Sequence, residues 1–487
     1  MAIGLNPAAI LSGQGLDVSS LVQQIIASQS GQLGVWQAQQ TTLATQNGLL
    51  AGINNNLTNL QTAVAALASP TGALTAQAAA SSQPGALTAA AQSTAISGTH
   101  QIVVTSLATA GTLYTDPIAA GANTSFLSSG QTSGDIQIQV GGVSGAIHDL
   151  IIAQGSNDTL TTLASYINTQ STANNWGVTA SVVSDANGSR LALQSQITGS
   201  NGALATVVNS NTSLTFDAPV GGANAALTID GVPFSSSTNT VTGAIQGITL
   251  SLLGQSTPGT PVQLTVGPDT NQITSAINNF VSAFNTVIST INTQYVVDPT
   301  GAIPAPPLEG DISLRSLQSS LLADSSYAIG GNSGLVNLAS LGINQNNDGT
   351  LTVGSTPAPN SQTFAQVLAA NPTAVQNFFQ NASGTGFANA FNSDLTNLTS
   401  PTQGPLSVDL KQNQAEQADL NTTINNFDTQ IALEQTQLTQ RYDAVNASLQ
   451  AYPLLLQVIT ETLGTLGSGT SASGALVSSG PTLTSGL

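Results

Sequence analysis

The chain has 487 residues, with 4 Lys and Arg against 22 Asp and Glu, a formal net charge of −18, 5% charged residues and no cysteine. So few cations cannot neutralise a phosphate backbone or hold an anionic bilayer, which excludes nucleic-acid binding and electrostatic membrane docking. The missing cysteine removes disulfides, thiolate catalysis and thiolate metal sites together. Most of the polar residues are amides and hydroxyls, and the length calls for several structural units. Met1 to Leu16 shows neither a basic start nor an apolar core of the secretory type, so export without a cleaved Sec signal is expected. The densest apolar run, Leu454 to Ile459, is far short of the roughly 20 residues that cross a bilayer, and no membrane insertion is expected.

At the N-terminal end, Val22, Ile25, Trp36, Leu43, Leu50, Ile53, Leu57, Leu60, Val64 and Leu67 fall on a heptad that writes a helical seam. The spacing predicts one helix from an N-cap at Asp17 to Ala68, on the order of 80 Å long at 1.5 Å per residue, stopped by Ser69-Pro70-Thr71-Gly72. Gln29, Gln32, Gln39 and Gln46 fall on the same register, which makes the first half of the seam a weaker holder of partners than the second.

Between the ends the period changes to two. Thr99 to Val104 and Asp135 to Val140 alternate polar and apolar, and Gly141-Gly142, Asp185 to Gly188 and Asp230-Gly231 supply turns. A short helix is predicted after an N-cap at Asp158, with Leu160, Leu163 and Ile167 on one face. Strands at Ile248 to Leu252 and Val262 to Val266 close this mainly β region.

From Asp269 the pattern is helical again, through Ile273, Ile277, Phe280, Phe284, Val287, Ile288 and Ile291, with shorter helices at Leu314 to Leu322 and Phe364 to Phe379. Near the far end Leu410, Leu420, Ile424, Phe427 and Ile431 keep one heptad register. Leu438, Tyr442, Val445, Leu449 and Tyr452 keep a second, joined to the first by a four-residue shift that locally unwinds a coiled coil. Pro453 is expected to kink or stop that helix, and the Gly, Ser and Thr-rich stretch from Gly467 to Leu487 to be disordered.

The fold class expected is α+β: long terminal helices pairing antiparallel as a coiled-coil or bundle stalk, with mainly β heads inserted between them. The boundaries expected are an assembly helix over 1–44, a helical leg over 45–69 and 268–452, a β head over 70–130 and 217–267, an inserted head over 131–216, and a C-terminal assembly segment and tail over 453–487. Leu50 to Leu67 reads as intrachain core against Leu420, Ile424, Phe427 and Ile431, with Leu60 and Ile424 in one seam and Leu438 opening the next register. Val22 to Gln46 reads as an assembly surface, with Trp36 as a packing anchor or an intersubunit hot spot.

Catalytic chemistry finds little to stand on. His100 and His148 lie far apart, and neither a nucleophile elbow nor a phosphate-binding lysine loop is present, so no enzyme activity and no cofactor are expected. Asn344, Asn346, Asp348 and Gly349 imitate the start of a calcium loop, but its twelfth position is Ser355 rather than a bidentate Glu, so a hairpin turn is expected there and no metal.

An ordered set of short segments carries a family resemblance. It runs from Gly15-Leu16-Asp17-Val18-Ser19-Ser20-Leu21-Val22 through Gly98 to Val104, Leu227-Thr228-Ile229-Asp230-Gly231 and Ile245 to Leu250. It continues with Ile277 to Asn285, Gly310-Asp311, Leu338 to Ile343 and Asp348-Gly349-Thr350-Leu351. With these the chain resembles hook-associated protein 2, the cap of the bacterial flagellar filament, and residues 134–203 resemble the flagellin-type inserted repeat. The resemblance implies a secreted, non-enzymatic protein exported by the flagellar type III apparatus. Such a protein forms a ring-like homo-oligomer at the filament tip and promotes flagellin insertion and polymerisation. Implied partners are flagellin and the filament end, and an export chaperone; the Asn and Thr loops add host or surface glycans as a further expected partner. Pro453 and the scarcity of Lys and Arg depart from the family pattern, the latter shifting intersubunit contacts towards apolar and amide groups. The competing readings are a flagellin-type filament or junction component, and a secreted adhesin on a coiled-coil stalk.

Overall fold

The structure is a computed structural model that describes residues 17–296, 298–302, 304–354, 362–381 and 383–467. The expectations for Met1 to Leu16, for Ser355 and for the tail beyond Gly467 lie outside the described residues. Long helices and small antiparallel sheets make the chain α+β. It divides into two compact units, Met1–Thr58 with Val287–Ser320 and Leu395–Leu487, and Asn59–Thr286 with Leu321–Asp394.

In the first unit the N-terminal helix is two helices, α1 (Val18–Gln29) and α2 (Gly31–Ala68), rather than one. Asp17 caps α1 as its spacing predicts, its carboxylate accepting from the Ser20 amide at 3.1 Å. Ser30 ends α1 by donating to the Ile26 carbonyl at 2.9 Å. The break falls where Ser30 meets Gly31, with Gly34 close behind, and each glycine costs a helix interior about 1 kcal/mol relative to alanine. The C-terminal helix α9 (Pro405–Gly467) is continuous for 63 residues through position 453, so the stop expected there does not occur. A helix-interior proline costs about 3 kcal/mol, a local loss that a helix of this length absorbs without ending.

The second unit holds two β-built parts and a set of helices. Strands β1 (Gln77–Ser81), β3 (Gly98–Ser106), β10 (Ala225–Ile229), β11 (Val232–Ser236) and β14 (Val262–Pro268) form an antiparallel sheet of order β1-β14-β3-β10-β11. Strands β2 (Leu87–Ala91), β12 (Thr240–Ile245) and β13 (Ile248–Leu252) form a second sheet of order β12-β13-β2. Alternation places Val262, Leu264 and Val266 inward, in one buried cluster with Ile102, Val104, Leu250 and Leu252. The Asp230-Gly231 turn joins β10 to β11 with both residues at positive φ, +51° and +83°, the two-residue hairpin chemistry that Asp-Gly favours.

Between β3 and β10 the chain builds a module around its own core. Strands β4 (Ala110–Tyr114), β7 (Val178–Asp185) and β8 (Gly188–Thr198) form one sheet, and β5 (Ser133–Val140), β6 (Ala146–Ala153) and β9 (Leu204–Ser210) form another of order β6-β5-β9. Helix α3 (Leu160–Asn174) buries Leu160, Leu163 and Ile167 against Ile136, Ile138, Leu150 and Leu193. Its cap is Thr159, one residue beyond the Asp158 expected: Thr159 is extended and exchanges hydrogen bonds with Thr162 in a capping box.

Helix α4 (Thr270–Asn292) starts at Asp269, whose carboxylate accepts from the Asn271 and Gln272 amides, both at 3.0 Å. Helix α5 (Ile312–Ser325) follows. Strands β15 (Ile343–Gln345) and β16 (Leu351–Val353) form the expected hairpin, with Asp348 accepting from the Thr350 amide and hydroxyl inside the turn. The helical stretch expected over Phe364 to Phe379 is divided into α6 (Phe364–Ala370) and α7 (Pro372–Phe379), because Asn371 ends one and caps the other before Pro372. Helix α8 (Phe387–Leu398) has no counterpart in the sequence reading. Six buried phenylalanines knit α4, α7 and α8 together; Phe387 alone touches the rings of Phe280, Phe378, Phe379 and Phe391 at 5.4–5.8 Å. Gln380 closes the end of α2, donating to the carbonyls of Leu67 and Ser69 at 2.5 and 2.6 Å.

Candidate functional site

The surface with most to offer is built by α1, α2 and α9 in the first unit. Their hydrogen-bonded pairs include Asn47 with Gln417 at 3.4 Å, Gln40 with Asn421, and Gln29 with Glu434 at 2.9 Å. Numbers rise on one helix as they fall on the other, so the helices run antiparallel. Trp36 meets Phe427 edge to face at 5.2 Å and 89°, and Leu43, Leu420 and Ile424 form a small cluster with Leu33 and Trp36 against it.

This register corrects two expectations. Ile424 packs against Leu43, Leu33 and Trp36 rather than sharing a seam with Leu60. Leu60 is a further 17 residues along α2 from Leu43, roughly 25 Å at helical rise. Three of the four glutamines of the predicted seam are also displaced. Gln29, Gln32 and Gln39 are exposed and Gln46 is half-buried, donating to the Pro307 carbonyl at 2.8 Å. The stripe of buried and half-buried residues runs instead through Leu33, Trp36, Gln40, Leu43, Asn47 and Leu50, one position later at every second step. Trp36, Leu43 and Leu50 keep the heptad phase of Val22, so only the alternate positions are displaced, and Ile53 is back on the expected register.

Burial grades along the chain. Leu50, Ile53, Leu57, Leu60, Val64 and Leu67 are at most 1% exposed, and Val22 and Leu43 are buried, whereas Ile25 and Trp36 are half-buried. On α9, Leu420 and Ile424 are buried, and Phe427, Ile431 and Leu438 are half-buried. In the second register Val445 is exposed and Asn446 takes its place on the half-buried stripe. Beyond it Leu454, Leu455, Val458, Ile459 and Leu463 stand 44–65% exposed. The amides Gln40, Asn47, Gln417 and Asn421, and the carboxylates Glu416 and Glu434 that accept from Gln39 and Gln29, were not singled out from sequence.

Elsewhere the titratable groups serve the fold. The His100 ring nitrogen Nδ1 lies 2.8 Å from Asp230, which also accepts from the Gln101 amide at 2.8 Å. These contacts, the His100 bond foremost, hold the Asp230 carboxyl below its usual range. His148 stacks on Trp176 at 4.5 Å, and burial pulls its pKa down. Burial pushes the Tyr295 phenol up, partly offset by the nearby Arg315 charge. Among the described residues no group of three or more His, Cys, Asp or Glu could hold a metal, and no helix is long and apolar enough to cross a membrane.

Residues 14–111 match the family model for the flagellar hook-associated protein 2 N-terminus, and residues 222–452 match the model for its C-terminus. The two matched spans contain α1, α2, the β10-to-β14 strands and most of α9. The chain belongs to the flagellar hook-associated protein 2 family. Among its relatives, the B-type flagellar hook-associated protein 2 of Pseudomonas aeruginosa is 29% identical over 396 residues, covering 74% of this chain and 78% of the relative. The polar flagellar hook-associated protein 2 of Vibrio parahaemolyticus is 30% identical over 181 residues, covering 37% of this chain and 26% of the relative. The crystal structure of the D1-D2-D3 domains of the flagellar cap protein FliD from Escherichia coli aligns with a TM-score of 0.56 at 26% identity, covering 75% of this chain and 99% of that one. A hook-associated protein 2 is a structural protein of the flagellum.

Proposed function

We propose that this chain is a subunit of the flagellar filament cap: it oligomerises as a ring at the filament tip and promotes insertion and polymerisation of flagellin beneath it. The observation that carries this reading is the uncovered apolar face at the end of α9, through Leu454, Leu455, Val458, Ile459 and Leu463. Such a face on an exported protein calls for a partner. The half-buried seam of Trp36, Phe427, Ile431 and Leu438 with Gln40 and Asn47 is held by amide contacts that water or a neighbouring subunit can replace.

In this reading Val22, Ile25, Trp36 and Leu43, with Phe427, Ile431 and Leu438, serve assembly. Leu50 to Leu67, with Leu420 and Ile424, hold the subunit itself. The five-segment division into assembly helix, leg, β head, inserted head and terminal segment follows the same logic. An export chaperone would cover the α9 face before assembly, with passage through the flagellar type III apparatus, and the Asn and Thr-rich loops of the heads suit contact with host or surface glycans.

Deleting the gene should abolish swimming and release monomeric flagellin into the medium, and expressing the chain should reverse both. A chain carrying Leu454→Ser, Leu455→Ser and Val458→Ser should be exported and fold, yet leave flagellin in the medium. Full-length filaments in the deletion strain would reject the reading.

A further inference from the structure

The β6-β5-β9 sheet has one face in the module core and the other in solvent. Ile136, Ile138, Leu150 and Ile152 fill the core side. Register places Asp135 opposite Ile151, Gln137 opposite Asp149, and Gln139 opposite Ile147 on the other side. Ile147 and Ile151 are 53% and 65% exposed, on either side of the exposed Asp149. An outward face that alternates two large apolar side chains with a carboxylate is not what solubility selects, since a solvated sheet face ordinarily carries polar residues throughout.

The two carboxylates on this face are close enough to share a hydrogen bond. That bond first, then burial and the Asp149 charge, raise the Asp135 pKa above its usual value. Gln137 donates to Asp149 at 3.3 Å, and the Asp135 Oδ1 is buried without a hydrogen-bond partner. A cation brought to this spot would relieve the like-charge contact and satisfy that oxygen at once.

We propose that this outer face docks a cationic protein segment in extended conformation, its apolar side chains seated at Ile147 and Ile151 and its Lys or Arg side chains paired with Asp135 and Asp149. A second copy of this chain fits poorly. It carries only 4 Lys and Arg in all, of which Arg190 is held by Asp185 and Lys411 by the Pro401 carbonyl. Addition of a strand at the β6 edge is obstructed, because the Asn157 side chain accepts from the Ala153 amide at 2.8 Å and donates to the Ile151 carbonyl at 2.9 Å. The face is the open approach, and charge complementarity selects the partner.

The test titrates a fluorescent peptide, Ile-Ser-Lys-Ser-Ile-Ser-Lys, whose Ile and Lys side chains share one face when extended, into the full chain at pH 8 and fixed low salt, and follows anisotropy. Saturable binding is expected, weakened about tenfold or more both by Asp135→Asn with Asp149→Asn and by Ile147→Ser with Ile151→Ser, the charge pair losing roughly what a close cross-interface ion pair supplies. Asp428→Asn with Asp443→Asn, which lowers the net charge equally, should leave binding unchanged, and circular dichroism confirms that each variant is folded. The proposal is overturned by absence of saturable binding, by equal weakening in the Asp428 and Asp443 control, or by undiminished binding of an Ile-Ser-Glu-Ser-Ile-Ser-Glu peptide.

Discussion

Asn47 donates to Gln417 across the antiparallel helices at 3.4 Å while its own Oδ1 is buried with no hydrogen-bond partner. This is an under-satisfied amide inside an otherwise apolar stripe between Leu43 and Leu50. An unpaired buried acceptor costs about 1–3 kcal/mol, more than a long hydrogen bond returns. Asn47→Leu should therefore raise the melting temperature of the full chain, by about 1 kcal/mol of added stability. Thermal denaturation followed by circular dichroism checks this, and a lowered midpoint would show that the amide holds the pair together.

The Trp36 and Phe427 rings meet edge to face, an arrangement worth roughly 0.5–1.5 kcal/mol beyond area burial. A double-mutant cycle of Trp36→Ala and Phe427→Ala should return a coupling energy in that range. Additive effects would mean that the ring contact contributes nothing of its own to the folded subunit.

Truncation should hurt unequally along the seam. Leu57→Ala empties a site with no solvent exposure and should cost about 2–5 kcal/mol, whereas half-buried Ile25→Ala should cost about 1 kcal/mol or less. Equal losses in urea titration would contradict the gradient from core to assembly surface.

Asp324 supplies the pH dependence. Burial first, then a hydrogen bond to Asp394 and its charge, push the Asp324 pKa up to about 7 from the ordinary 3.8. The folded state thus holds this proton more tightly than the unfolded chain. The group's stabilising contribution is complete below about pH 4 and declines as pH climbs towards 7, levelling off above it. Asp324→Asn should flatten that decline and stabilise the chain at pH 8, by on the order of 1–2 kcal/mol once solvent screening of a half-buried group is allowed for. Melting temperatures of the two proteins at pH 4 and pH 8 decide it: an equal gap at both would remove the proton linkage.

Much of the fold was legible where local pattern and tertiary packing agree. The heptad from Leu50 to Leu67 marks residues with almost no exposure, and the alternation in Asp135 to Val140 and Val262 to Val266 marks true strands. It failed at the alternate seam positions between Gly31 and Leu50. Ser30 and Gly31 divide the first helix, and between there and Leu50 the alternate seam positions fall one residue later, so Gln40 takes the place of Gln39 and Asn47 joins Gln46, before Ile53 returns to the expected register. Pro453 misled in the other direction, since a local penalty does not end a helix of 63 residues. The outer face of β6 was hidden because Ile147, Leu150, Ile151 and Ile152 do not alternate cleanly, and only pairing with β5 separates core from surface.

Immunogold labelling of an epitope-tagged chain on intact flagella tests the cap assignment most directly. The account predicts gold at the distal end of each filament and nowhere along its shaft; label distributed along the shaft, or confined to the base, would contradict it.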